Sequence, residues 1–255
     1  MHSHRANPTP DPGLSVDPAH QHPINRADQS ATADGARLSE RYTMPNYPSD
    51  LTVVDCDFRK VTVDNADQFS RHLIYLRGFA LLRVRHSESG KFDFDETNTT
   101  DLAETGDASL DLLTSLAEQI DRDSVIGGWQ LARLVASLVR LPRDSVREQD
   151  GIRPLLRFTS ALAQQPLDAR WLAPGRATIP LHQIAVSRGY SAADWAEREQ
   201  DALQLNPALV ERRLSHRVRS IWVAFAQSLM AVGDDRRRAF AAFDQWESKG
   251  KGKGR

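Results

Sequence analysis

Two kinds of apolar pattern divide this chain, and their order limits what it can fold into. Before Ser109 the clearest apolar segments are short runs, Leu51-Thr-Val-Val-Asp-Cys-Asp-Phe58 and Phe79-Ala-Leu-Leu-Arg-Val-Arg85. Runs of this length, β-branched and bounded by polar residues, read as strands. From Ser109 onward the spacing turns helical. Leu110, Leu113, Leu116, Ala117 and Ile120 make one stripe; Leu131, Leu134, Val135, Leu138 and Val139 make a second, ended by Pro142. Between them Ser124-Val-Ile-Gly-Gly128 is a short buried strand closed by two glycines. A helix–strand–helix unit over 109–141 is what a sheet covered by helices requires. The expected class is α/β, a small mixed sheet covered by helices with a mostly helical C-terminal half. A small α+β part followed by a separate helical bundle fits the same content.

The remaining elements are placed by local signals. Asp64-Asn65 opens a predicted helix over 66–75, with Phe69, Leu73 and Leu76 on one face and Gly78 as its stop. Residues 87–107 read as a polar, acidic loop without a period. Helices are expected over 154–164, 178–189 and 191–203, the last begun by Ser191-Ala-Ala-Asp194. Asn206-Pro207 is an N-cap followed by an N1 proline. The helix it starts carries Val218, Ile221, Trp222, Phe225 and Leu229, and either runs on or breaks near Ser215. Gly233-Asp234-Asp235 separates it from a last helix holding Phe240, Phe243 and Trp246.

Residues 1–48, rich in Pro, Asp, Ser, Ala and His, cannot bury enough apolar surface to offset the entropy of ordering them. They are read as a disordered tail, 49–247 as a single α/β domain, and 248–255 as a basic Lys/Gly tail. No run of eighteen apolar residues exists and the N-terminus lacks an apolar core, so neither a membrane span nor a secretory signal is expected. With Cys56 as the sole cysteine, an intramolecular disulfide is impossible and a cytoplasmic location is expected. The net charge of −1 conceals an asymmetry: 87–123 holds eleven Asp/Glu against Lys91 and Arg122, while 124–255 holds twenty-one Lys/Arg against thirteen Asp/Glu. A polyanion partner suits that pattern, as do solvated acidic and Arg-rich faces.

The feature with the most chemical content is Asp55-Cys56-Asp57. Residues i and i+2 of a strand share a face, so the two carboxylates project together. As a pair they could ligate a hard cation such as Mg²⁺ or Mn²⁺; acids at a strand end also serve as solvated or turn-capping groups. The order of elements around them resembles the DEDD-type 3′–5′ exonucleases of the ribonuclease H-like fold. Val53-Val54-Asp55-Cys56-Asp57-Phe58 matches the first acidic motif, with Asp57 in place of the usual Glu. The segment from Leu112-Leu113 through Val125-Ile126-Gly127-Gly128-Trp129-Gln130-Leu131 resembles the one holding the second. Ser215-His216-Arg217 through Ile221-Trp222 falls where the third would lie.

The resemblance implies an enzyme in which four acidic side chains bind two metal ions that activate water and stabilise the leaving oxygen of a cleaved phosphodiester. It assigns Asp55, Asp57 and His216 to catalysis, with Asp55 and Asp57 as metal ligands. Two acidic positions depart from the pattern. No carboxylate occurs from Trp129 to Pro142, and Ser220 and Ile221 stand four and five residues beyond His216. Either the chemistry is lost, or acids come from elsewhere, such as Asp194 or Glu197.

Basic residues offer phosphate contacts. They are the stretches Arg212-Arg213, His216-Arg217-x-Arg219 and Arg236-Arg237-Arg238 and the Lys249–Arg255 tail, with Arg212, His216 and Arg219 at i, i+4 and i+7. The same residues could form a solvated face opposite the apolar stripe. Two non-catalytic readings stand beside the nuclease: a nucleic-acid-binding accessory protein using the basic C-terminal helices, and a protein-interaction module using 87–107. His72, His86 and His182 lack metal-ligand spacing, and Gly127-Gly128 lacks the lysine of a phosphate-binding loop.

Overall fold

A computed structural model describes residues 47–64, 70–121, 123–141, 153–160, 166–169, 181–190, 206–230 and 233–251. Strand β1 (Asp50–Asp64) turns back into β2 (Ser70–His86), which turns back into β3 (Phe92–Thr100), a three-stranded antiparallel meander. Helix α1 (Gly106–Gln119) then crosses over to β4 (Val125–Gly128), which pairs parallel with β1 from Leu51 to Val54. Helices α2 (Leu131–Val139) and α3 (153–160) precede β5 (Leu167–Asp168), parallel to β4. The sheet order is β3-β2-β1-β4-β5. Among the described residues α4 (Leu181–Ser187), α5 (Pro207–Leu229) and α6 (Asp234–Lys251) follow. All described residues belong to one unit, Met44–Arg255. No helix among them is long and apolar enough to cross a membrane.

The α/β class and the helical C-terminal half are as expected. β1 lies mid-sheet and is covered on both faces, which explains its near-continuous apolar run. Val54, Cys56, Phe79, Leu81 and Ile126 pack under α1, α2 and Phe158 of α3. Leu51, Val53, Ala80, Leu82 and Val84 pack under Val218, Ile221, Trp222 and Phe225 of α5 and Phe243 of α6. The C-terminal helices are therefore a layer of the same core, not a separate bundle. The approach of α5 is close: a Cβ on Gly127 would lie 2.7 Å from the Phe225 ring. The helix runs unbroken past Ser215, begun by Asn206, whose Oδ1 accepts from Ala208 N at 3.1 Å, with Pro207 behind it.

Two expectations are corrected. Of the helix read over 66–75, residues 70–75 lie in β2, and 66–69 fall outside the described residues. Long-range pairing overrides the helical spacing of Leu73 and Leu76, which face Val61 and Phe58 across the ladder. The acidic loop over 87–107 contains β3. Its side chains do alternate, with Phe92, Phe94, Glu96 and Asn98 turned toward α5 and α6 and Asp93 and Asp95 exposed. Because acid and amide groups occupy inward positions, no apolar period showed in the sequence. The expected helices over 109–120 and 129–141 and the strand over 124–128 appear within a few residues of those bounds. The helix over 191–203 lies outside the described residues, as do 1–46 and 252–255. Tyr47, read as tail, joins the core, its hydroxyl accepting from Trp222 Nε1 at 2.9 Å. The α6 helix continues to Lys251, into the segment read as a basic tail.

Candidate functional site

Alternation along β1 puts Leu51, Val53, Asp55 and Asp57 on the α5 side of the sheet. The sequence-predicted pair is thus brought together, but beneath a helix and among arginines. Asp57 pairs with Gly78 and Phe58 with Leu76, leaving Arg77 as the extra residue of a β-bulge. The bulge turns Arg77 onto the face of Asp57. Its Nε and Nη2 donate to Asp57 Oδ2 at 2.8 and 2.5 Å, and the two side chains are 3% and 5% exposed. Backbone groups freed by the bulge find partners in α1 and after β3. Leu76 N donates to Ser109 Oγ at 3.1 Å, and Asp101 N donates to the Arg77 carbonyl at 2.9 Å.

The helix that would carry the third acidic motif does lie over the pair, and it presents two further arginines. Arg217 Nη2 donates to Asp55 Oδ1 at 3.0 Å, and its Nε stands 2.6 Å from Oδ2 as a charge contact without hydrogen-bond alignment. Arg213 Nη1 is 3.9 Å from Asp57 Oδ1, and neither its Nε nor its Nη1 makes a hydrogen bond. Gly78 makes this crossing possible, since a Cβ there would meet the Thr99 carbonyl at 2.8 Å and Leu214 Cδ1 at 3.2 Å.

Among the described residues three guanidinium groups therefore face these two carboxylates, in a site largely closed to water. Burial pushes the Asp55 carboxyl above its ordinary value and Asp57 adds to the shift, while Arg217 and Arg213 oppose it. Burial also lowers Arg213, helped by the like charge of Arg217, and raises the thiol of Cys56 on the opposite face. Among the described residues no cluster of three or more His, Cys, Asp or Glu could hold a metal ion. Asp168 ends β5 and serves another purpose: its two oxygens accept from Gln130 N at 3.1 Å and Leu131 N at 2.9 Å at the start of α2. Gln130 there is left-handed, with φ of 56°. Asp194 and Glu197 lie outside the described residues.

The other predicted residues are dispersed. His216 lies flat on Tyr190, ring centroids 4.3 Å apart. Arg219 is 18% exposed and engaged internally. Its Nε and Nη2 donate to Glu96 at 2.7 and 3.2 Å, its Nη1 to Glu247 at 3.2 Å, and its guanidinium lies 5.1 Å from the Trp246 ring centroid. Arg236 closes the C-terminus of α5, donating to the carbonyls of Gln227 at 2.7 Å and Met230 at 3.1 Å. Arg237 and Arg238 pair with Asp234 and Asp235 at the exposed start of α6, and Arg212 is exposed. An open cleft of about 560 Å³ between β2, β3 and the end of α1 holds none of the predicted residues.

Arg77 was missed, and Arg213 and Arg217, read within basic stretches as phosphate contacts, were not expected at Asp55 and Asp57. Arg213 and Arg217 extend the buried stripe of Ser220 and Ala224 at i, i+4, i+7 and i+11, a signal present in the sequence one position away from the face chosen. Arg77 carries no such signal, because only the bulge turns it inward. No family model matches the chain, and no curated protein matches it. Function has to be read from the site itself.

Proposed function

We infer that the chain is a ribonuclease H-like domain related to DEDD-type exonucleases, which binds nucleic acid without hydrolysing it. The layout supports the relationship. An acid-bearing strand lies mid-sheet, a covering helix leads to a parallel strand that ends in two glycines, and a C-terminal helix crosses the acids. One observation carries the loss of hydrolysis: Arg77, Arg213 and Arg217 occupy the surroundings of Asp55 and Asp57. Two divalent cations need several carboxylates with free lone pairs. Guanidinium groups held against both carboxylates repel cations and leave few lone pairs for them. Arg212, Arg237 and Arg238 are exposed, the last two beside their partners Asp234 and Asp235, and the Lys249–Arg255 tail adds positive charge.

The test uses the purified full chain with labelled single-stranded and duplex DNA and RNA. Binding should weaken as salt rises, by a log–log slope of about 0.7 per phosphate contact on single strands, and Arg237→Ala with Arg238→Ala should flatten it. No cleavage should appear with Mg²⁺ or Mn²⁺. Cleavage that disappears in Asp55→Asn would show a working metal centre and end the non-hydrolytic reading. Binding indifferent to ionic strength, or none at all, would end the nucleic-acid reading.

A further inference from the structure

β3 and the acids beside it lie outside the nucleic-acid reading. β3 is an outer strand of the sheet, and its register with β2 runs without a shift from Phe92 to Thr100. Just beyond its two ends, the Lys91 carbonyl accepts from Ser87 N at 3.0 Å and Asp101 N donates to the Arg77 carbonyl at 2.9 Å, both toward the β2 side. Backbone groups alternate in direction along an antiparallel strand. Asp93, Asp95, Thr97 and Thr99 therefore direct theirs to β2, and Phe92, Phe94, Glu96 and Asn98 turn their N–H and C=O groups outward. Among the described residues no strand pairs with that outer edge. An edge of this kind is a template for a further strand.

The open cleft of about 560 Å³ borders this edge on the α1 side, where Asp93 and Asp95 lie opposite Arg85 and Arg83. Two of its cations are already engaged. Arg83 donates to Asp95 at 3.1 Å and to the Gln119 carbonyl at 2.6 Å, and Arg85 stands 3.6 Å from Asp50. Glu118, Asp121 and Asp123 line the same cleft, are exposed and form no ion pair among the described residues. Against these three carboxylates stands one guanidinium without an ion pair among the described residues, that of Arg157. We propose that β3 docks an extended basic segment of a partner protein as an added strand, with alternate Lys or Arg side chains reaching past Asp93 and Asp95 into the cleft. Side chains of a strand alternate, so cations at every second position all fall on the α1 side. Main-chain hydrogen bonds to the outer edge supply the pairing, and the carboxylates select the charge. The same acids repel a phosphate backbone, which makes this surface distinct from any nucleic-acid contact.

The probe is a labelled peptide of alternating lysine and threonine, titrated with the full chain and followed by fluorescence anisotropy. Binding that weakens as salt rises is expected. The same peptide with glutamate for lysine should not bind. N-methylation of alternate residues removes one edge of hydrogen bonds and keeps the charge; tried in both phases, it should weaken binding about tenfold in at least one. The combined variant Glu118→Gln, Asp121→Asn and Asp123→Asn should also bind about tenfold more weakly, at an unchanged thermal midpoint. No binding, or equal binding of the glutamate peptide, overturns the proposal, as does full binding by both N-methylated peptides or by the triple variant. Binding by a chain lacking residues 252–255 but not by the full chain overturns it as well, because the occupant is then the chain's own tail. A dimer in light scattering that the triple variant dissociates makes a second copy the occupant, with the same consequence. The peptide comparisons need no substitution in the chain, so they decide the matter if the triple variant does not fold.

Discussion

Asp55 and Asp57 are neighbours of one residue type on one strand, yet they play unequal parts. Asp57 neutralises Arg77, whose side chain is almost wholly buried, and also lies 3.9 Å from Arg213. Removing one partner of a buried pair leaves an uncompensated charge, so Asp57→Ala should cost about 3–5 kcal/mol in urea unfolding. Asp55→Asn should cost clearly less, because burial already disfavours the charge it removes. The pH dependence follows with a definite sign. The folded carboxyl of Asp55 holds its proton more tightly than the ordinary value of 3.8, so the folded state binds more protons than the unfolded chain above that value. Its contribution is therefore present at low pH and is lost as pH rises through the raised value. The difference in unfolding free energy between wild type and Asp55→Asn should shift in the variant's favour from about pH 4 upward. A difference flat with pH would contradict the shift. The acid pair was legible in the sequence, since strand periodicity alone decides that i and i+2 share a face. Its arginine partners were not, since their positions depend on a bulge and on where one helix crosses the sheet.

Elements were legible where burial imposes a period and illegible where polar groups face inward. The α1, β4 and α2 segments carry apolar residues at their buried positions, and their periods named them. β3 turns Glu96 and Asn98 inward beside two phenylalanines, where Glu96 pairs with Arg219 and the Asn98 amide donates to Ser215 Oγ at 2.7 Å. Hydropathy cannot reveal a strand whose inner face is completed by another element's side chains. Contact between elements also fixes glycine. Gly127→Ala would drive a Cβ to within 2.7 and 2.9 Å of the Phe225 ring and 3.0 Å of Leu51, displacing α5 from the sheet. A loss of about 1–3 kcal/mol is expected by denaturant unfolding. Gly250→Ala, helical with nothing within 4 Å, is the control and should leave stability unchanged or raise it by up to about 1 kcal/mol.

Across the whole molecule, part of the charge asymmetry proves to be internal complementarity. The acidic stretch supplies Glu96 and the basic half supplies Arg219, and the pair joins β3 to α5. Glu247 of α6 extends the network, accepting from Arg219 and from the Tyr190 hydroxyl at 2.5 Å, while Arg188 stands 3.6 Å away and pairs with Asp244. Desolvation and the Glu247 hydrogen bond push Tyr190 far up, so it stays a donor at ordinary pH. Glu247→Ala leaves Arg219 half-matched and Tyr190 without its acceptor. It should cost about 2 kcal/mol and make α6 the first segment cut in limited proteolysis. Unchanged cleavage of α6 would mean that apolar contacts of Phe243 and Trp246 hold it alone. The composition bias alone could not separate a partner-facing charge from one answered inside the fold, because it records amounts and not pairings.

Arg77 occupies a position that the pairing of β1 and β2 does not use. If it were deleted, Gly78 and Leu76 would become consecutive, and both would keep the partners they have now, Asp57 and Phe58. Every side chain further out along the hairpin would also stay on its present side. A single-residue insertion thus introduces a cation into the interior without rewriting the rest of the strand. A centre of this kind can be recharged by the length of a strand, leaving the identity of its remaining residues untouched.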